Sequence, residues 1–135
     1  MPVLMTKIKG IPASEYAATQ YALAYFYVYS TLDAYFEEDN PYPNSLERLQ
    51  KAKDLALDAL ENYTLAERTA EDTLSEEAIE EPEAPAFNVL GLANEYLGNL
   101  ERARECYRNA IERDGLDEAR TNLRTLGKDN DVFLK

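Results

Sequence analysis

Residues 84–115 read APAFNVLGLANEYLGNLERARECYRNAIERDG, and this stretch decides the fold. It alternates small and bulky side chains at helical spacing. Gly91 in its first half, and Ala103 and Ala110 in its second, are small enough to let two helices approach closely. Phe87, Leu90 and Tyr107 fill the gaps on either side. Between the halves, Gly98 suits the left-handed C′ position that stops a helix, and Asn99 is a good N-cap for the next. Gly115 can end the second helix in the same way. The spacing predicts a helical hairpin over 84–115.

Composition extends this reading to the whole chain. At 135 residues it is one domain, large enough for a real core. Only 5 glycines and 6 prolines occur, Ala, Leu and Glu are common, and no run of alternating β-branched residues suggests a sheet. An all-α protein is expected. The absence of histidine excludes imidazole acid–base catalysis and histidine-ligated metal. The single Cys106 cannot form an internal disulfide, which fits a reducing, cytoplasmic setting, and its place inside a helix beside Tyr107 marks it as a packing residue. Met1–Gly10 lacks the long apolar core of a secretion signal. The formal charge is −12, and all of it falls in residues 1–100, which carry 18 acids and 6 bases; residues 101–135 carry 8 of each. Such a surface repels nucleic acid and anionic lipid, keeps the chain soluble and attracts basic partners.

Along the chain, 1–11 reads as an extended arm and 12–64 as a long helical hairpin. Its first helix, near 13–37, carries no charge from Tyr16 to Leu32. That run of 17 residues is at the short limit for a membrane span. It holds Tyr16, Tyr21, Tyr25, Tyr27 and Tyr29 with several hydroxyl and amide residues, so a helix buried in the core or facing a partner is expected, not a membrane. After the loop Asp39–Asn44, a second helix has an apolar face of Leu46, Leu49, Ala52 or Lys53, Ala56, Leu60 and Tyr63. Residues 65–83 form an acidic connector, with seven acids and no base from Glu71 to Glu83. Beyond Gly115, residues 116–127 predict a capping helix with a stripe of Leu116, Ala119, Leu123 and Leu126, and 128–135 is a tail.

The residues of 84–115, spaced as Phe87-x2-Leu90-Gly91, Gly98-Asn99 and Ala103-x3-Tyr107-x2-Ala110, resemble the tetratricopeptide repeat family's aromatic-x2-Leu-Gly…Ala-x3-aromatic…Ala pattern. The match is clear over 84–126 and weak over 17–63. It departs from the family at Asn94, where a Tyr is usual, and at Gly115, which replaces a Pro. In the first pair, Leu23-Ala24-x2-Tyr27 resembles the family's Leu-small-x2-Tyr element, and Ala52, Ala56 and Ala59 repeat the spacing of Ala103, Tyr107 and Ala110. The resemblance implies an α-solenoid fragment of two unequal hairpins with a C-terminal cap, and ligands bound along the concave face of the first helix of each repeat. By register, that face would hold Tyr21, Tyr25, Val28 and Tyr29 from the first pair and Asn88, Leu92, Glu95 and Tyr96 from the second. These positions lack lysine, so a clamp for a C-terminal carboxylate is not expected.

No motif carries chemistry. Asp129-Asn130-Asp131 begins like a calcium loop but lacks its glycine and closing glutamate. Asn62-Tyr63-Thr64 falls within a predicted helix and reads as a chance glycosylation match. No catalytic residue, metal or cofactor is expected. The expected function is protein–protein interaction, as an adaptor, assembly factor or chaperone-like holder of a partner with basic and apolar residues. The rival is self-association, with the groove filled by another copy; a carboxylate enzyme is the remote third.

Overall fold

The computed structural model describes residues 13–68 and 83–126. The predicted arm, residues 69–82 of the connector and the tail lie outside the described residues. Five helices occur among the described residues: α1 (Ala13–Phe36), α2 (Ser45–Arg68), α3 (Glu83–Tyr96), α4 (Leu100–Asp114) and α5 (Asp117–Arg124). No strand is present among them, and the fold is all-α, built from helical hairpins. The second helix continues to Arg68, four residues beyond the expected boundary.

Two polar bridges set how α1 lies on α2. Asn62 Nδ2 donates to Oε1 of the buried Gln20 at 2.8 Å, and Arg48 Nε donates to Thr31 Oγ1 at 2.9 Å. As the position rises along α1, its partner falls along α2, so the helices are antiparallel. Hydroxyls of α1 also donate within the helix. Thr19 donates to the Glu15 carbonyl at 3.1 Å and Thr31 to the Tyr27 carbonyl at 2.6 Å, each four residues back. The hairpin turns at Asp39, whose φ of 51° is tolerated by a short polar side chain, and Asn40 N–H closes α1 on the Ala34 carbonyl at 2.8 Å.

On α2 the buried stripe is Leu49, Ala52, Leu55, Ala56, Ala59 and Tyr63. Leu46, expected on this face, is 51% exposed. At 3.6 residues per turn it lies about 100° around the helix from the centre of the stripe, beside the loop.

The second hairpin has the predicted close approach, made chiefly to an aromatic ring. A Cβ added at Gly91 would lie 2.5 Å from Tyr107 Cε1. The ring is fully buried against the α3 backbone, and Ala103 is buried nearby in the same core. Gly98 (φ 92°) and Gly115 (φ 56°) take the left-handed positions expected of them. Asn99 differs. Its carbonyl accepts the Ala103 N–H at 3.0 Å, but its side chain makes no cap bond; Nδ2 donates to Asn94 Oδ1 at 3.1 Å. Asn94, at the position where the resemblance expects a tyrosine, is fully buried, and its own Nδ2 donates to the Leu90 carbonyl at 3.0 Å. The turn is therefore tied by an amide pair that satisfies a buried polar group.

Helix α3 is the centre of the molecule. All of its residues except Pro85 and Phe87 are buried. It packs against α4 and α2 and touches α1 and α5. A helix buried nearly all round must satisfy its polar groups internally. Asn88 Oδ1 accepts from Asn122 Nδ2 of α5 at 2.9 Å, and Glu95 Oε1 accepts the Tyr107 hydroxyl proton at 2.8 Å.

Candidate functional site

The i, i+4 spacing of Tyr21, Tyr25 and Tyr29 puts three rings in line along one side of α1. Tyr21 and Tyr25 meet edge-on with centroids 6.1 Å apart, and Tyr25 and Tyr29 lie 4.4 Å apart at 38°. Phe36 continues the stripe at the C-terminal end and meets Tyr96 of α3 with centroids 6.1 Å apart. From Tyr21 to Phe36 the stripe spans roughly 22 Å at 1.5 Å per residue. Tyr25 is 44% exposed and Phe36 is also exposed; Tyr21 and Tyr29 are half-buried.

The rim of the stripe is acidic. Burial first, and the nearby Tyr25 and the Glu118 carboxylate of α5 next, push the Tyr21 phenol up to about 12. Burial and then Glu118 also raise Tyr29, with Asp33 a lesser cause. These phenols are protonated at neutral pH and offer O–H donors above an apolar ring surface. Helix α5 docks on α3 through the Asn122–Asn88 bond, with Glu118 within electrostatic reach of both rings.

That arrangement closes the second half of the face expected from the sequence. Val28 is completely buried, and Asn88 and Glu95 are only 2% and 4% exposed. Leu92 and Tyr96 are buried in the main core. Asn88 is engaged by Asn122, Glu95 by Tyr107, and Tyr96 by Phe36. The structure thus brings Tyr21, Tyr25 and Tyr29 together at the surface and places Val28, Asn88, Leu92, Glu95 and Tyr96 inside. Asp33, Phe36 and Glu118 join the surface stripe without having been expected there. Asp33 follows from continuing the four-residue spacing past Tyr29; Glu118 has no sequence signal, because its place depends on how α5 docks.

A second cleft, of about 620 Å³, lies between α2 and α3, lined mainly by Leu57, Leu60, Leu65, Phe87 and Leu90. Cys106 is buried, and burial pushes its thiol up to about 12, so it is a neutral packing group at pH 7. Among the described residues there is no cluster of His, Cys, Asp or Glu that could hold a metal, and no helix long and apolar enough to cross a membrane. No protein-family model, curated protein or solved structure matches the chain.

Proposed function

We propose that this chain is a protein-binding module of tetratricopeptide-like build, acting in the cytoplasm as an adaptor, assembly factor or chaperone-like holder rather than as an enzyme. The observation that carries this reading is the stacked Tyr21–Tyr25–Tyr29 ladder, open to solvent at Tyr25 and flanked by Asp33 and Glu118. Tyrosines give large, stiff contact area with a polar tip, at little entropic cost when bound. An acidic rim on a chain of charge −12 favours a segment that carries Lys or Arg beside apolar anchors. The likeness of residues 84–126 to a family of partner-holding repeats supports the same class of activity.

Self-association is the second reading, and one observation favours it. On another side of α1, Leu23 and Phe26 are exposed, Phe26 by 55%, within the charge-free run Tyr16–Leu32. Two strongly acidic copies could meet there without opposing charges.

Selection of a random peptide display library on the full chain separates the two. Enriched peptides combining basic and aliphatic or aromatic residues are expected. Their affinity should fall about tenfold or more for Tyr25→Ala, the cost of losing a central tyrosine, and should fall on Glu118→Lys and on raising salt. Phe26→Ala should leave it unchanged. Peptides that bind Tyr25→Ala and Glu118→Lys as well as wild type would refute the stripe. A mass that doubles with concentration in light scattering, and reverts in Phe26→Ala, would instead establish the self-associating form.

A further inference from the structure

Two of the basic side chains of the acidic half, Arg48 and Lys51, meet near the α1–α2 turn. Arg48 lies with its guanidinium carbon 3.8 Å from the Tyr42 ring centroid and 5.2 Å from that of Tyr27. Its Nε–H donates to Thr31 Oγ1 at 2.9 Å, and Nη2 donates to Ser30 Oγ. Lys51, one turn on and on the same side of α2, has its ammonium 5.6 Å from the Tyr27 centroid. Together with Asn44, Glu47 and Tyr27, these two cations line a cleft of about 460 Å³.

Three features distinguish this place from an ordinary pair of surface bases. Among the described residues neither Arg48 nor Lys51 forms an ion pair; the one found there joins Arg104 to Glu101. In a chain with 18 acids and 6 bases in its first hundred residues, two adjacent cations here share a cleft with one carboxylate, Glu47, which pairs with neither. Arg48 is also fixed in place. Neutral hydroxyls take two of its N–H groups and aromatic faces hold its plane, which leaves further N–H donors on the terminal nitrogens. A planar guanidinium fixed in this way, beside an exposed ammonium, matches the geometry of a small oxyanion.

We propose that the Arg48–Lys51 cleft binds a single small oxyanion, a phosphate or a carboxylate, carried by a small molecule or by one side chain of a partner. The site stands independently of the tyrosine stripe and lies off the face that the sequence resemblance points to. Its net local charge sets the ligand's size. Glu47 lines the same cleft and offsets one of the two cations, and the chain as a whole repels polyanions. One charged group fits this balance; a nucleic acid backbone or an anionic bilayer does not.

The test is an NMR titration of the full chain with inorganic phosphate, and separately with acetate, each against sodium chloride at matched ionic strength. Saturable shifts confined to Asn44–Lys51, the Arg48 Nε–H and residues 27–31 are expected. Lys51 is exposed, so Lys51→Gln preserves the α1–α2 packing; it should weaken binding about tenfold, the loss of one charge-assisted hydrogen bond. Arg48→Lys keeps the charge but loses the fork and should also weaken it. Glu47→Gln should tighten it. Saturation by phosphate alone assigns a phosphate group, by acetate alone a carboxylate, and by both either oxyanion. Shifts that chloride reproduces, that never saturate, or that persist unchanged in Lys51→Gln overturn the proposal.

Discussion

A methyl group at Gly91 would meet Tyr107 at 2.5 Å from Cε1 and 2.7 Å from Cδ1. The ring has nowhere to retreat, because it is fully buried and its hydroxyl is tied to Glu95 at 2.8 Å. Gly91→Ala should therefore destabilise the protein by about 1–3 kcal/mol, the usual cost of overpacking a filled core. Urea denaturation should give a lower midpoint with an unchanged slope. Leu46→Ala is the contrast. Its side chain is largely in solvent, and its loss should move stability by less than about 0.5 kcal/mol. Both positions were read as packing residues from their spacing. Only Gly91 has that role, because a glycine in a helical run has few other reasons to be there, whereas a leucine near a helix start can sit on either side of the stripe.

At the level of elements, α5 is the least secured. It has 8 residues and one fully buried side chain, Ala119, with Leu123 and Leu126 packed partly against the core. The Asn122–Asn88 bond joins it to α3. Asn122→Ala would leave the Asn88 carbonyl oxygen buried without this donor, at a cost of about 1–3 kcal/mol. Hydrogen exchange should then rise across Asp117–Arg124 and remain slow in α3 and α4; uniform deprotection of all three would show that α5 is not a separate unit. This contact also explains which parts of the structure could be read from the sequence. The hairpin at 84–115 was legible because Gly98 and Gly115 act through local geometry, and because Gly91, within a helical run, marks close packing whatever its partner. Tyr21, Tyr25 and Tyr29 were placed on one face by the register of the resemblance, which also added Val28, a residue that is completely buried. Asn88, Leu92 and Glu95 were misplaced onto an open groove because their burial depends on partners far along the chain, Asn122 on α5 and Tyr107 on α4. A register within one helix carries no record of what covers it. Glu118 was missed for the same reason.

Taken whole, the molecule keeps several acidic groups protonated in its folded state. Burial raises the Cys106 thiol to about 12 from 9.0, and raises the Tyr107 phenol far above its model-compound value of 10.0, with the Glu95 carboxylate a further cause. Burial also raises Tyr63. In the unfolded chain these groups ionise near their ordinary values, so above pH 9 the unfolded state gives up protons that the folded state retains. Stability should be fully present below pH 9 and should fall as pH rises. Counting only Cys106 and Tyr107, the loss is on the order of 1.4 kcal/mol per pH unit for each group once its unfolded form ionises. Mutual repulsion in an acidic chain adds to the fall as lysines lose their charge, so the informative quantity is a difference between variants. Cys106→Ala should flatten the curve between pH 9 and 10, where most unfolded phenols still hold their protons. Tyr107→Phe should start from lower stability, having lost the Glu95 bond, and fall less steeply above pH 10. Urea midpoints measured from pH 7 to 11 check both; parallel curves for wild type and the two variants would mean that neither group is held neutral by the fold.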